Sequence, residues 1–293
     1  MIELGEQDKG KTSEIGERLA RDPVERTHIA CPCADAMRGN IAWPCSEAPA
    51  RGRNSVPAGA INAARENSWT ADMLNMDFSR QVVIDTTAAP WQPSPMPGVW
   101  RKPLAREDAE HGHATSVVRY QPGARFSRHE HPRGEEILVL DGVFSDERGD
   151  FGAGSYLRNP PGSGHAPFSE VGCTLFVKLH QFEPGDTASV CVDTAGTPWL
   201  PGQGGLQVMP LHGFGAEHVA LVKWPAGERF IAHRHWGGEE IFVVSGEFID
   251  EHGRYPAGSW LRSPHLSAHH PYVEQETVIW VKTGHLLPGE HTA

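Results

Sequence analysis

The sequence is short of several things, and each shortage excludes a class of protein. Cysteine is scarce, five in 293 residues. That number is odd and too small for a disulfide framework, so the thiols are expected to be reduced and the protein cytoplasmic. Basic residues are outnumbered, 26 Lys and Arg against 37 Asp and Glu, for a formal net charge of -11. Non-specific nucleic-acid binding needs a basic face, so no nucleic-acid partner is expected. No apolar run approaches the length that crosses a bilayer, and Met1 to Arg21 holds no apolar core of the kind a signal peptide needs. No membrane partner is expected either. What is plentiful is glycine and proline, 32 and 24, beside 39% hydrophobic residues. That composition suits many short strands joined by turns, in a chain with room for about two domains.

The chain divides unevenly. Residues 1–78 show no apolar periodicity beyond a turn, and mix charges with Gly, Pro, Asn and Ala, as in Arg51-Gly-Arg-Asn-Ser-Val-Pro-Ala-Gly. Thr12 to Leu19 has the makings of a short helix, capped by Thr12 or Ser13. The segment reads as a poorly structured N-terminal tail, and residues 1 to about 76 are expected to be dispensable for folding. After about Ser79 the character changes. Gln81-Val-Val-Ile-Asp, Ser116-Val-Val-Arg-Tyr, Glu136-Ile-Leu-Val-Leu and Thr174-Leu-Phe-Val-Lys are rich in β-branched and aromatic residues, bounded at short intervals by Gly, Pro and Asp. These are strands of an all-β sandwich or barrel.

An internal repeat decides the architecture. Gly123 to His165 aligns with Gly227 to His269 at a constant offset of 104, with 23 of 43 positions identical. Upstream, Asp85-Thr86 and Pro90-Trp91 match Asp193-Thr194 and Pro198-Trp199 at an offset of 108, so the second copy lacks four residues between. The expected organisation is a tail over 1–78 and two β-domains over 79–186 and 187–293.

Both copies repeat a chemical pattern as well. His129 and His131 are followed by Glu135, with His165 thirty residues beyond; His233, His235, Glu239 and His269 stand at the same spacings. Residues i and i+2 of a strand share a face, so each His-x-His pair can point together, and a Gly-containing link returns the carboxylate. Three imidazoles and one carboxylate suit a divalent metal, Zn or Fe(II) first, with Mn or Ni also fitting. One metal per domain is expected. Alternation directs Glu136 and Glu240 away from the metal, while a register with Glu136 as ligand stays open. His265 and His270 flank the second site, as loop residues or as proton carriers. Cys173 and Cys191 read as small core residues.

These spacings resemble a known family. Gly123-x5-His129-x-His131-x3-Glu135-x6-Gly142 is similar to the first cupin motif, and Gly154-x5-Pro160-x-Gly162-x2-His165 to the second. The closing Asn of the family is replaced by Ser169. The second repeat gives the first motif in full; its later one keeps Gly258, Pro264 and His269 but has Leu266 for Gly. The resemblance implies two tandem jelly-roll β-barrels, a bicupin, each with its metal inside. More narrowly, Gly134-Glu-Glu-Ile-Leu-Val-Leu-Asp-Gly through Arg158-Asn-Pro-Pro-Gly-Ser-Gly-His resembles the cupin domain of ChrR-type anti-sigma factors. Those pair a zinc-binding helical domain with a metal-holding cupin that responds to singlet oxygen. The tail offers only His28-x2-Cys31-x-Cys33 with Cys45 later, whose spacing departs from that zinc motif, so a sigma factor partner is not supported by the tail.

Three functions stay open. One is a metal-dependent enzyme of the dioxygenase type, acting on a small dicarbonyl or phenolic substrate. Another is a regulatory module responding to an oxidant or ligand. The third is a pair of purely structural metal sites in a small-molecule-binding barrel. Fold alone does not choose among them.

Overall fold

The computed structural model describes residues 73–108 and 112–287. Most of the tail, with His28, Cys31, Cys33 and Cys45, therefore lies outside the described residues. Residues 73–78 are described, and they are docked. Leu74 exchanges two backbone hydrogen bonds with Arg106, each 2.8 Å. Asn75 Nδ2 donates to Leu104 O at 2.7 Å, and the buried Arg262 donates to the carbonyls of Asn75 and Asp77. This departs from the expectation that residues up to about 76 stand apart from the barrels. The attachment runs largely through polar groups, with Met76 the side chain that packs on a core, so there is no apolar period to read.

The described residues form strands and turns, with no helix among them. One large sheet runs in the order Val190–Asp193, Ser155–Asn159, Glu135–Asp146, Cys173–Leu179, Ala114–Tyr120, Val99–Arg106, Gln92–Pro93. Its counterpart runs Val82–Asp85, Ser259–Ser263, Glu239–Ser245, Thr277–Thr283, Glu217–Trp224, Gln207–Phe214, Leu200–Pro201. The two correspond strand for strand, and every pairing is antiparallel. The outermost strand of each, however, comes from the other repeat. Val82–Asp85 pairs with Ser259–Ser263, and Val190–Asp193 with Ser155–Asn159. The repeats are consecutive in sequence but exchange their first strands in space.

Alternation along the strands feeds three cores. From Glu135–Asp146, Ile137 and Val139 enter the first barrel with Leu157, Leu175 and Val177. Leu138, between them, enters a core shared by both repeats, with Leu104, Val117 and Phe176 of one and Leu221, Phe242 and Trp280 of the other. Phe176 lies against Phe242 at 4.8 Å and Trp280 at 5.1 Å between ring centroids. A third core fills the second barrel around Ile241, Val243 and Phe248. Sheets covered on both faces read as unbroken apolar runs, which is why Ile137 to Leu140 shows no polar alternation. Each such side chain contributes about 1.5–3 kcal/mol by burial. Gly142 and Gly246 end the runs at φ +75° and +78°. A Cβ there would lie 2.0 Å from Gly172 O or 2.4 Å from Glu276 O, so only glycine fits.

Candidate metal centres

The first centre draws on three chain segments. His129–His131 pairs with Ser163–His165 in a short ribbon that sets His165 opposite His129. Glu135 begins the next strand, after a turn that Gly134 closes at φ +81°. The structure brings together all four residues expected from the sequence, His129, His131, Glu135 and His165, with donor atoms within 4.8 Å of one another. His131 Nε2 and His165 Nε2 stand 3.3 and 3.4 Å from Glu135 Oε2. Both nitrogens are buried and make no hydrogen bond. Buried polar atoms are normally satisfied, and imidazole nitrogens converging with a carboxylate form the donor set of a divalent cation. His129 Nδ1 lies 3.0 Å from Ser127 O, which places its proton there and leaves Nε2 to ligate. Burial pushes His131 down to about 4, so its ring is neutral at pH 7.

Behind the ligands runs a closed circuit. His165 Nδ1 lies 3.1 Å from Asp146 Oδ2. Arg148 grips both oxygens of Asp146 and donates to Asn159 Oδ1 at 2.8 Å. Asn159 Nδ2 in turn donates to Glu135 Oε2 at 2.8 Å. One ligand is thus tied to another through Asp146, Arg148 and Asn159. Burial would raise the Asp146 carboxyl, but hydrogen bonds from His165 and Arg148 hold it well below the carboxylate range. Carboxylate partners of this kind fix the ring orientation of a ligating histidine.

The second centre repeats the three histidines, leaves Glu239 outside the 4.8 Å limit that Glu135 meets, and changes their support. His233, His235 and His269 converge within 4.8 Å, and Glu239 Oε2 lies 3.4 Å from His235 Nε2 and 3.6 Å from His269 Nε2. His235 Nε2 and His269 Nε2 are 3.0 Å apart, sharing a proton that a metal would displace. Burial takes His233 down to about 4 and His235 to about 3, and raises Glu239. His269 is raised: burial lowers it, but the Glu239 and Asp250 carboxylates outweigh that. His252 and Ser263 occupy the places of Arg148 and Asn159, and Tyr255 Oη donates to Asp250 instead, at 2.9 Å. The circuit is open here. His252 and Ser263 instead line a cavity of about 220 Å³ that His235 and His269 share. Leu266, where Gly162 stands in the first repeat, keeps the turn in left-handed backbone, φ +63° against +81°.

Glu136 and Glu240 turn away from the two candidate centres, which resolves the register left open. Both are buried in a charged network joining the repeats. Glu136 accepts from Tyr156 at 2.7 Å and from Lys282 of the second repeat at 3.0 Å. Glu240 accepts from Trp260, His285 and Lys178 of the first repeat. Asp186, His212 and Glu217 also gather within 4.8 Å. Arg158 binds both carboxylates, at 2.6 and 3.0 Å, so this cluster is an ion-pair node. Sequence reasoning missed this network and the Asp146 circuit. Asp146 and Asp250 are identical in the aligned repeats, the signal that could have found them. His265 braces its loop, its Nδ1 accepting from Gly237 N at 2.9 Å, and Cys173 is buried as expected.

Comparison with known proteins agrees with this geometry. No curated protein sequence matches the chain. Among solved structures, a candidate dioxygenase of Nostoc punctiforme superposes with a TM-score of 0.60 at 15% identity, over 71% of this chain and 84% of the other. An oxalate decarboxylase from Lactobacillus farciminis, in complex with formate, gives 0.52 at 14% identity over 70% and 86%. The oxalate decarboxylase of Bacillus subtilis, which has Mn(II) centres, gives 0.51 at 14% over 70% and 77%. At these identities the likeness is one of fold. The ChrR Cupin-like domain family matches twice, over residues 79–183 and 187–287. The chain, which carries two consecutive copies of this domain, belongs to the ChrR cupin-like family.

Proposed function

We propose that the protein holds one divalent metal in each barrel, and that the two centres differ in role. The first, with its ligands tied by Asp146, Arg148 and Asn159, holds structure. The second is the working site of a metal-dependent enzyme, of the dioxygenase type, acting on a small oxygen-bearing molecule. The observation that carries this is the cavity at His235 and His269, lined by side chains that do not ligate. The similarity in fold to a candidate dioxygenase and to oxalate decarboxylases supports it. When bound, a metal with this donor set supplies a Lewis acid, Fe(II) and Mn(II) suiting oxygen chemistry and zinc a closed site. The chain's own groups do the rest. Ser263 and Ser267 hydroxyls offer hydrogen bonds to a bound molecule, and the exposed His252 imidazole can pass protons to solvent.

The test is elemental analysis of protein purified without added metal, beside oxygen uptake with small dicarbonyl and phenolic compounds. Two metals per chain and turnover lost in His235→Ala are expected. One metal or fewer, or turnover unchanged in His235→Ala, would refute the proposal. A regulatory reading has the family's ChrR description in its favour. Its mark would be metal-dependent ligand binding without turnover.

A further inference from the structure

The strand exchange bears directly on the second centre. Val82–Asp85 belongs to the first repeat yet edges the second repeat's sheet, with Val82 opposite Arg262. Gln81, one residue earlier, therefore falls opposite Ser263, which is itself opposite the ligand Glu239. Residues opposite one another in an antiparallel ladder share a face. Gln81, Ser263 and Glu239 make one row across the sheet, on the face that carries the metal ligands. Gln81 and Ser263 both line the cavity at His235 and His269. The Gln81 side chain is exposed and makes no hydrogen bond to another described residue. In the first barrel the register puts Ser189, a much shorter side chain, at the corresponding place beside Asn159.

The wall of the cavity is polar and carries no carboxylate. The Gln81 amide, the Ser263 and Ser267 hydroxyls and the His252 imidazole can all donate. Ser267 Oγ is buried and has no hydrogen-bond partner. Three neutral imidazoles and one carboxylate would leave a bound divalent cation with net positive charge. A molecule entering here meets positive charge at the base and donors on the walls, which favours an oxyanion. At a water's share of ~30 Å³, the cavity takes about seven water-sized groups, so the molecule is small.

We infer that the second centre binds a small anion of the carboxylate class, and that Gln81, supplied by the other repeat, orients it. This rests on the metal reading above. Gln81 is a positioning residue for the ligand; it does not hold the metal.

The experiment loads the full chain with Mn(II) and follows ¹³C-acetate by the relaxation that the bound metal induces. His235→Ala sets the background from the first barrel. Wild type is expected to relax acetate above that background. Gln81→Ala should keep the same metal content and melting temperature but bind acetate about ten-fold more weakly, as for loss of one hydrogen bond to a charged group. Gln81→Glu, equal in length but negative, should abolish binding. Acetate bound equally well by Gln81→Ala would overturn the inference, as would metal loss in that variant, since Gln81 would then act on the metal. If wild type carries the second metal yet ignores acetate, the inference fails and the metal reading stands. If elemental analysis finds no second metal, both fail together.

Discussion

The Lys178 ammonium of the first repeat lies 2.6 Å from the Glu240 carboxylate of the second, both fully enclosed between the barrels. Lys282 and Glu136 make the reciprocal pair at 3.0 Å. Removing one partner of such a pair leaves an uncompensated charge where water cannot reach. Lys178→Met should therefore cost about 3–5 kcal/mol, and adding Glu240→Gln should recover part of the loss. Denaturant titration of the single and double variants measures both. A loss below about 1 kcal/mol in the single variant would show that the charges escape to solvent.

The circuit behind the first centre predicts an asymmetry between the metals. Asn159→Ala unties Glu135 and frees Arg148, so first-site affinity should fall about ten-fold or more. Ser263→Ala, at the matching place in the second repeat, makes no such link and should leave metal affinity nearly unchanged. Competition with a chelator, read site by site in His129→Ala and His233→Ala backgrounds, separates the two. Equal effects would mean that the circuit does not support the ligands.

Acid should destabilise the metal-free chain. Burial holds His131 and His233 at about 4 and His235 at about 3, below the ~6.5 of an unfolded histidine. As pH falls from about 6.5 towards 4, the unfolded chain takes up protons that these folded histidines refuse, so stability falls. His269 works in the opposite sense, its raised value favouring the folded state below 6.5, but it stands against three. The urea midpoint of chelator-treated protein should be lower at pH 5 than at pH 7.5. Metal should leave the loaded protein over the same range, because protons compete for the same nitrogens. An unchanged midpoint would place these rings in water.

Leu266 is held in left-handed backbone, a conformation costing a non-glycine residue about 1–2 kcal/mol. Glycine relieves that strain but gains freedom in the unfolded chain worth about 0.5–1 kcal/mol. Leu266→Gly should thus stabilise slightly, raising the melting temperature by about 1–4 °C. A lower melting temperature would show that the half-exposed leucine side chain contributes more than the strain removes.

The docked segment 74–78 sets a boundary for truncation. A chain beginning at residue 79 loses the two carbonyls that receive the Arg262 guanidinium and the Phe78 ring beneath it. It should melt several degrees below a chain beginning at residue 73, since a buried charge loses its partners. Equal melting temperatures would show that residues 73–78 add nothing to stability.

The convergence of the histidines was legible because their spacing and the strand period coincide. His129 and His131 are two apart, and Glu135 follows one tight turn later. The barrels were legible because the repeat preserves the apolar runs. What supports the ligands was hidden for a different reason. Asp146 ends one strand, Arg148 sits in the turn just after it and Asn159 ends another strand, so the circuit closes through a residue eleven positions away that no local spacing records. Glu136 and Glu240 were rightly turned from the metal, but alternation says only which face a residue takes, not that a lysine from the other repeat waits there. The strand exchange has no counterpart in the repeat pattern: the shift in offset from 108 to 104 falls in the hairpin between Arg106 and Ala114, which is shorter between Phe214 and Glu217.

That exchange also sets a timetable for the nascent chain. Val82 finds its place only beside Arg262, 180 residues later. At ~5–20 residues per second, a ribosome takes about 9–36 seconds to make that stretch. Until then the first repeat emerges with a strand it cannot use, and until Val190–Asp193 follows it also has a sheet edge that lacks its cover. A half-made chain thus exposes an open edge, the feature through which β-proteins pair with strangers. Two halves expressed apart would each carry the other's missing strand, and should pair with each other before either stands alone.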